Sequence, residues 1–424
     1  MQYLLYLLKY LLKRLRLTLR KINYIDLFAG CGGISEGLEQ SKKFNHVASV
    51  EWDKHCCNTI RHRLSTQWGY NNVEETVIEY DIQQTAKIIN GIKNIKDSFP
   101  GLKKLSQSKK IDLIIGGPPC QAYSIAGRIR DKHGMKNDYR NYLFESFTKI
   151  VSTIKPKIFI IENVPGMLSA KPGDILVTDR IKAAFNKINY TIPEDFKKCV
   201  FDLSQFGIPQ KRKRVFIFGI SNQLKNKETV LKTFYDLINS KKIKKITTVK
   251  EAIGDLGKLI PANKLDLKKG KRYSHKFSIK DENIDHIPRF HNERDIKIFS
   301  MLAKDIEKGV MKYTQTKELQ KLYEKIVGKS SSVHKYYVLR KDNVSNLIPA
   351  HLYKDGLRHI HYDSKQARSI TPREAARLQT FDDNFKFIGP MTEQYKMIGN
   401  AVPPKFSKVI AEVLINLKLK LHLF

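Results

Sequence analysis

The residues with the clearest chemical potential lie in one stretch, residues 111–124. Within it the apolar run 113–115 is typical of a strand buried on both faces, and the Gly-Gly-Pro-Pro segment 116–119 ends that run abruptly. Cys120 follows at once. Open α/β sheets collect ligands and reactive groups beyond the carboxyl ends of their strands. The spacing therefore makes Cys120 a candidate nucleophile, with a buried structural thiol as the alternative.

Polar and charged residues also border two later apolar runs. Glu162 comes directly after the predicted strand 158–161, so we expect it on the same rim as the thiol; a helix cap or turn residue is the alternative. Alternation along the segment 210–219 predicts that Gln210, Arg212 and Arg214 share one face as a strand begins. Two guanidinium groups and an amide on one face suit recognition of a polar base or a phosphate.

A short strand, a glycine turn and a helix open the first predicted domain. Gly30, Gly32 and Gly33 form the turn, where the backbone can approach a nucleotide-like ligand closely. The next predicted strand, 47–50, ends at Glu51, about 20 positions further on, where a carboxylate is placed to accept ribose hydroxyls. The pattern predicts a nucleoside-containing ligand at this turn.

Two further residues beyond strand ends fit the same ligand. The Trp52 ring would cover an adenine face, with ordinary core packing as the alternative. Asp81 would receive an adenine amino group, with a helix cap before Ile82 as the alternative.

Composition indicates the partner. The chain has 424 residues, enough for two domains, and 77 Lys plus Arg against 42 Asp plus Glu give a formal net charge of +35. Such an excess favours a polyanionic partner, nucleic acid above all, although part of it reflects a lysine-rich composition bias. In the basic segment 121–140, Arg128 and Arg130 are predicted to face phosphates.

The cysteine pattern and the first 20 residues indicate the compartment in which the protein acts. The five cysteines form no Cys-x-x-Cys pair and no zinc spacing, so we expect neither a disulfide framework nor a structural metal, in a reducing intracellular compartment. Residues 1–20 read as a basic amphipathic helix, which either packs as an extension or lies on a membrane surface. The sequence contains no transmembrane candidate.

Taken together, these motifs resemble the DNA (cytosine-5) methyltransferase family, in the family's order and over nearly the whole chain from Lys21. The resemblance rests on segments 26–33, 51–52, 81, 117–124, 162–164, 210–214, 371–381 and 399–404. It implies an α/β, Rossmann-like S-adenosylmethionine-dependent methyltransferase fold with a mostly parallel sheet and a smaller target-recognition domain. The implied division is 1–20 as an extension, 21–220 with 394–424 as the catalytic domain, and 221–393 as the recognition domain.

The resemblance also implies the chemistry. Cys120 would add as a thiolate to C6 of a cytosine flipped out of duplex DNA, Glu162 would act at N3, Arg214 at the carbonyl oxygen, and Arg212 would support the carboxylate. S-adenosylmethionine is the implied cofactor, without a metal. Its implied contacts are Phe28, Gly30, Gly32, Gly33, Glu51, Trp52, Asp81, Pro118, Asn400 and Val402. The implied DNA contacts are Gln121, Ser124, Arg128, Arg130 and Gln210.

Residues 367–381 resemble the family's helix that buttresses the recognition region. Thr371 is the predicted N-cap, Pro372 the first helical residue and Glu374 the third. The chain departs from the family at two turns: Tyr362 stands where Pro often follows His, and Asp382 where Pro often follows Phe. Residues 263–335 match nothing in the family and are either a DNA-reading surface or a solvated insertion.

Other classes of protein remain as alternatives. A tRNA cytosine-5 methyltransferase of similar fold would share every catalytic motif, and a non-catalytic DNA-binding regulator would share the fold. An amino-group methyltransferase is disfavoured because an aromatic residue normally follows its Pro-Pro, where Cys120 stands here; an NAD-dependent enzyme would not explain Glu162 or Arg212. We expect a cytoplasmic, bacterial, monomeric enzyme that acts on double-stranded DNA beside a restriction endonuclease of the same specificity.

Overall fold

The structure is a computed structural model that describes residues 20–93, 98–107, 109–119, 143–268, 271–278, 286–331 and 335–421. Its residues form two compact units. The sheet unit comprises the described residues within 1–206, 213–242 and 402–424. The insert unit comprises those within 207–212 and 243–401. The predicted helix over residues 1–20 lies, apart from Arg20, outside the described residues.

The sheet unit is built on one eight-stranded sheet. Its strands are β1 (Ile22–Leu27), β2 (Phe44–Glu51), β3 (Val77–Glu79), β6 (Leu113–Gly116), β7 (Ile158–Asn163), β8 (Tyr190–Thr191), β9 (Val200–Asp202) and β10 (Lys213–Ser221). A separate two-stranded ladder joins β4 (Ile92–Lys93) and β5 (Ser98–Phe99). The order in the large sheet is β3-β2-β1-β6-β7-β10-β8, with β9 also beside β10.

Neighbouring strands from β3 to β7 run parallel, and β10 runs antiparallel to its neighbours. The predicted α/β fold with a mostly parallel sheet is confirmed. The four residues of β6 are all buried, as expected for a strand covered by helices on both faces. This arrangement brings the carboxyl ends of β1, β2, β3, β6 and β7 to one edge of the sheet.

Helices cover the sheet. They are α1 (Gly33–Glu39), α2 (Lys54–Trp68), α3 (Val73–Thr76), α4 (Thr85–Asn90), α5 (Gly101–Gln107), α6 (Leu143–Ile154), α7 (Val177–Lys187), α8 (Lys227–Ser240) and, near the C-terminus, α14 (Pro404–Leu421). Large aromatic side chains fill the space beneath them: Phe159 on β7 stacks on Phe185 of α7 with ring centroids 4.1 Å apart. Such contacts bury apolar area and fix the helices to the sheet.

Helix α8 belongs to the sheet unit, which moves the unit boundary from the predicted 220/221 to 242/243. Phe234 of this helix stacks on Phe218 of β10 with centroids 4.0 Å apart. The Tyr235 hydroxyl donates to the Phe216 carbonyl at 2.9 Å. Because these contacts fasten the helix to the last strand of the large sheet, the chain leaves the sheet unit only after α8. Residues 207–212 and 394–401, predicted in the catalytic domain, lie in the insert unit.

The insert unit contains a hairpin, β11 (Leu259–Lys268) and β12 (Lys271–Phe277), and short helices: α9 (Val249–Ile253), α10 (Glu293–Glu307), α11 (Thr316–Val327), α12 (Pro372–Leu378) and α13 (Met391–Asn400). Helices α10 and α11 lie in the region that matched nothing in the family. The predicted cap of α12 is confirmed: Thr371 is the N-cap, Pro372 begins the helix, and Glu374 completes the capping box. Among the described residues, no helix is long and apolar enough to cross a membrane.

Candidate active site

A carboxylate and a guanidinium meet where β7 ends. Glu162 Oε1 lies 2.9 Å from Arg214 Nε, and both side chains are mostly buried. Phe216 of β10 is directly opposite Glu162, so Arg214, two residues earlier and on the same face, is its diagonal neighbour. The sheet register therefore dictates the pairing of these two predicted site residues.

The segment that leads to Cys120 is fastened beside Glu162. Gly116 is opposite Ile161 in the β6–β7 ladder. A Cβ on Gly117 would lie 2.9 Å from Glu162 Oε2, so glycine leaves this space to the carboxylate. The Asn163 amide donates to the Pro118 carbonyl at 3.3 Å. Cys120, Gln121, Ser124, Arg128 and Arg130 lie outside the described residues.

Glu51, at the end of β2, binds the glycine turn. Its Oε2 accepts from the Gly30 amide at 2.8 Å, and its Oε1 accepts from the amides of Trp52 and Asp53 at 2.9 and 3.0 Å. Burial raises the pKa of Glu51, and the three backbone donors oppose that rise. Glu51, the residue predicted to bind the ribose, is thus a buried carboxylate that backbone amides hold in place.

The turn itself needs an unusual backbone. Phe28, Gly30 and Gly32 have φ angles of 57°, 54° and 84°. A left-handed conformation is natural for glycine but uncommon for Phe, and such outliers concentrate at functional sites. Gly33 is the first residue of α1. The structure therefore places the three predicted turn glycines, together with Phe28, at the junction of β1 and α1.

Trp52 and Asp81 follow neighbouring strands. The Trp52 side chain is 69% exposed, so the alternative of ordinary core packing is wrong. Asp81 is partly buried, and its carboxylate accepts from the Gln83 amide at 3.0 Å. The next helix, α4, begins only at Thr85, so Asp81 closes a turn and does not cap that helix.

The remaining predicted cofactor contacts fall in both units. Pro118 and Val402 are buried in the sheet unit, where Val402 precedes α14. Asn400 is exposed and ends α13 in the insert unit.

Gln210 and Arg212 lie in the insert unit ahead of β10, not within that strand as alternation predicted. Gln210 has no exposed surface; its amide donates to the Leu378 carbonyl at 2.9 Å and accepts from the Ile348 amide at 3.2 Å. Its second N–H donates to Gln379 Oε1 at 2.7 Å. This placement corrects the predicted DNA contact, because the side chain has no exposed surface and both of its N–H groups are used within the protein.

Arg212 is buried as well, and its guanidinium donates to three backbone carbonyls of the insert unit. The distances are 3.3 Å to Ile348, 3.2 Å to Gly399 and 2.8 Å to Ala401. Arg212 therefore fastens three segments of its own unit. Its predicted support of Glu162 stays a prediction.

Sequence reasoning gave no role to Asp26, which lies within β1. It is fully buried; one oxygen accepts from the Ser35 hydroxyl at 2.7 Å, and the other has no hydrogen-bond partner among the described residues. Burial raises the pKa of Asp26 to about 7, with a further rise from Glu51. A carboxylate inside an apolar strand is the signal in the sequence that marks this position.

These features fit a cofactor that carries an adenosine. The turn offers open backbone, Glu51 a ribose acceptor, and Trp52 an exposed aromatic face. With this turn and a carboxylate–guanidinium pair at another strand end, the molecule has the Rossmann-like fold of the S-adenosylmethionine-dependent methyltransferases.

Comparison with known proteins gives the family. The model of the C-5 cytosine-specific DNA methylase family matches residues 22–416, and this chain belongs to that family. It is 33% identical to the type II methyltransferase M.Bpa9945I of Bacillus paralicheniformis over 91% of this chain and 97% of that one. It is 30% identical to M.DdeI of Desulfomicrobium norvegicum over 92% and 88% of the two chains.

A solved structure agrees in fold. The putative DNA modification methyltransferase encoded within an Escherichia coli prophage superposes with a TM-score of 0.62, at 25% identity, over 94% of this chain and 99% of that one. The predicted family is confirmed, and the protein is an enzyme, a DNA (cytosine-5) methyltransferase.

Proposed function

We propose that this enzyme methylates C5 of a flipped cytosine in a specific duplex sequence through a covalent bond between Cys120 and C6. The Glu162–Arg214 pair carries the proposal. Glu162 lies at the end of β7 beside Gly117. Gly117 precedes Cys120 by three residues in the sequence. A carboxylate and a guanidinium on one rim provide groups for both N3 and the carbonyl oxygen of a cytosine.

The chemistry explains why a thiol is required. Cytosine C5 is too electron-poor to be methylated directly. The Cys120 thiolate forms a bond to C6, and the electron pair of the C5–C6 double bond becomes available at C5. C5 then takes a methyl group, the C5 proton leaves to a base, and the electron pair of that C–H bond restores the double bond as the thiolate departs.

Glu162 and Arg214 assist the addition. A hydrogen bond from a protonated Glu162 to N3 would withdraw electrons from C6, and Arg214 would bind the carbonyl oxygen. In the described structure the two side chains bind each other at 2.9 Å. We propose that this ion pair keeps both groups oriented until the base arrives, and that the base then takes its place.

The cofactor supplies an electrophilic methyl group on a sulfonium sulfur. Glu51 would hold its ribose, Phe28 and Trp52 its adenine, and Asp81 the adenine amino group. Gly30 and Gly32 would lie near the methionine end, where Cβ atoms are absent. Gly33, Pro118, Asn400 and Val402 complete the proposed contacts.

Base flipping follows from the same chemistry. The thiolate and the methyl donor must reach opposite faces of the ring, which is impossible inside a base stack. The cost of unstacking is a few kcal/mol. The net charge of +35 favours the DNA contacts that offset it.

The relatives suggest the biological setting. Two of them are named type II methyltransferases, with coverage of nearly their whole length. We propose that this enzyme likewise protects host DNA from a restriction endonuclease of the same specificity, and that it acts as a monomer on double-stranded DNA.

The test is Cys120→Ala. The variant should transfer no methyl group to DNA and should fail to form a covalent adduct with duplex DNA that contains 5-fluorocytosine, while it still binds DNA and S-adenosylhomocysteine. Cys199→Ala is the matched control, because that thiol is buried in the sheet unit and has no proposed role. Methyl transfer by the Cys120 variant would refute the covalent mechanism.

Two readouts define the substrate. Transfer of labelled methyl to duplex DNA and not to tRNA separates the proposal from the tRNA alternative. Bisulfite sequencing of DNA from cells that express the chain then gives the modified cytosine and its sequence context.

A further inference from the structure

A pocket of about 380 Å³ opens in the insert unit, at a place to which neither the family motifs nor the mechanism gives a ligand. The residues that line it include the buried polar side chains of His361, Gln366 and Glu374. Three lysines, Lys250, Lys258 and Lys341, belong to its lining and are exposed.

Backbone pairing holds two of these lysines side by side. The Lys250 amide donates to the Lys341 carbonyl at 2.9 Å, and the Val249 amide donates to the Asn343 carbonyl at 2.8 Å. Helix α9 is therefore fixed to the segment around residue 341, and the two ammonium groups extend from adjacent positions. Among the described residues, the side chains of Lys250, Lys258 and Lys341 take part in no ion pair.

The carboxylates of the lining are already occupied. Glu307 accepts from the Ser364 amide and hydroxyl at 2.7 and 2.6 Å. Asp363 accepts from the Lys365 amide at 3.0 Å. The buried Glu374 binds the Arg368 guanidinium through both oxygens, at 2.6 and 2.7 Å. Among the described residues Glu374 is the one carboxylate of the lining with an arginine or lysine partner, so the three lysines face the two remaining carboxylate charges and the lining carries a net positive charge.

Tyr362 adds a hydrogen-bond donor. Its ring stacks on His361 with centroids 4.4 Å apart and an interplanar angle of 26°. Burial raises the pKa of Tyr362 to about 12, so the hydroxyl keeps its proton at neutral pH. That hydroxyl has no hydrogen-bond partner among the described residues. A Cβ on Gly254 would lie 3.2 Å from the hydroxyl oxygen, so glycine keeps this side of it open.

We propose that this pocket binds one phosphodiester group of the DNA duplex, held by Lys250, Lys258 and Lys341 with the Tyr362 hydroxyl as a further donor. Several ammonium groups and a neutral hydroxyl match the tetrahedral oxygens of a phosphate. The inference rests on the proposed function for the identity of the polyanion. It adds a site that fixes the position of the duplex and does not touch the reacting base.

Tyr362 is also one of the two departures from the family pattern that the sequence shows. A proline at this position would have neither an aromatic ring to stack nor a hydroxyl to donate. The site is therefore a feature of this chain, and the variants that test it change residues outside the proposed catalytic and cofactor groups.

The first experiment compares two triple variants of the full chain with equal loss of charge. One is Lys250→Gln, Lys258→Gln and Lys341→Gln. The control is Lys103→Gln, Lys149→Gln and Lys187→Gln, exposed lysines on α5, α6 and α7 of the sheet unit. Binding to a duplex fragment that the wild-type chain methylates is measured at several salt concentrations.

The pocket variant should reduce the slope of log Kobs against log salt by about 0.9, the contribution of one phosphate, and lower affinity on the order of 10-fold at low salt. The control should leave the slope unchanged. Equal losses in the two variants would overturn the site, because they would report a general loss of charge.

The second experiment is Tyr362→Phe, which removes only the hydroxyl. We expect DNA affinity to fall about 2- to 10-fold, KM for DNA to rise in step and kcat to stay unchanged, with no change in melting temperature. Wild-type affinity in this variant would overturn the assignment of the hydroxyl.

The outcomes separate this inference from the proposed function. A chain whose DNA binding depends on the pocket lysines, yet which transfers no methyl group to DNA, would overturn the proposed function and support the phosphate site. A chain that methylates DNA with identical affinity in both triple variants would support the function and overturn the site.

Discussion

The two units of this enzyme bury different kinds of side chain. The largest fully buried side chains of the insert unit include Arg212, Arg368 and Arg373, whereas those of the sheet unit are mainly aromatic, such as Phe159 and Phe185. The sheet unit is held by strand ladders and apolar packing. The described part of the insert unit has an apolar cluster of its own, around Phe299 and Leu302, but fewer strands, so buried polar side chains also satisfy many of its backbone groups.

Arg373 shows how this works. Its guanidinium donates to the carbonyls of Asp382 and Phe385 at 3.1 and 2.9 Å. A buried carbonyl outside a helix or a sheet needs a donor from elsewhere, and a guanidinium with five N–H groups can serve several at once. An irregular unit can thus be held together when arginine, glutamine and histidine side chains bond the backbone groups that no strand ladder satisfies.

The largest expected effect is on catalysis and is confined to the sheet unit. Glu162→Gln should lower kcat/KM for methyl transfer by about 10²- to 10⁴-fold, because an amide cannot donate a carboxyl proton to N3. Because the change also leaves Arg214 without its counter-charge, some stability should be lost, and activity is compared well below the unfolding temperature of the variant. Glu79→Gln is the control, since Glu79 also ends a strand and pairs with Arg61 at its surface. Equal losses in both variants would contradict the assigned role.

The next effect is on stability and should be confined to the insert unit. Glu374→Gln leaves Arg368 buried without its counter-charge; burial would raise the pKa of Glu374, but Arg368, with His361, brings it well below its usual value. We expect a loss of about 3–5 kcal/mol in unfolding free energy. Hydrogen exchange should place the loss in the insert unit.

A surface ion pair of the same unit serves as the control for Glu374. Glu393→Gln removes the partner of Lys396 one turn away on α13, and such pairs contribute about 0–1 kcal/mol. If both substitutions cost the same, the polar core would not be what holds the insert unit together.

Acid should act on the two units in opposite directions. Burial lowers the pKa of His275, His359 and His361 to about 4, so the unfolded chain binds more protons between pH 6.5 and 4 and the insert unit loses stability as pH falls through that window. Burial raises the pKa of Asp26 and Glu39 to about 7, so the folded sheet unit binds more protons at these two groups between about pH 4 and 7 and gains stability as pH falls. Buried His46, with a pKa of about 3, offsets one of the two.

Hydrogen exchange at pH 7 and pH 5, corrected for intrinsic rates, measures this difference. Amides of the insert unit should lose protection at pH 5 relative to those of the sheet unit, by up to about 1.4 kcal/mol per pH unit for each histidine that titrates. An equal loss of exchange protection in both units would show that acid does not distinguish the insert unit from the sheet unit.

The smallest expected effect tests close packing in the sheet unit. Gly37→Ala would place a Cβ against the Pro404 carbonyl and the Ser407 side chain, where α1 crosses α14. Although alanine favours the helix, we expect a net loss of about 1–3 kcal/mol from overpacking. Ser65→Ala on the exposed face of α2 should stay within about 0.5 kcal/mol. Insert-unit exchange should not respond to either variant.

Local patterns in the sequence were enough to predict the main strands of the sheet unit. Apolar runs predicted β2, β6 and β7, glycines predicted the turn before α1, and the residues after the runs identified Glu51 and Glu162 as strand-end carboxylates. The capping box of α12 was predicted to the residue. These signals are local: a period, a turn and a cap depend on neighbours in the chain.

The partners of the buried polar groups, in contrast, depend on contacts between distant parts of the chain. Arg212 bonds carbonyls 136 and 187 positions away, at Ile348 and Gly399, and Gln210 bonds a carbonyl 168 positions away. No local pattern specifies such a partner, so alternation alone placed both side chains on an exposed strand face. The same holds for α8, whose unit is set by contacts of Phe234 and Tyr235 with β10.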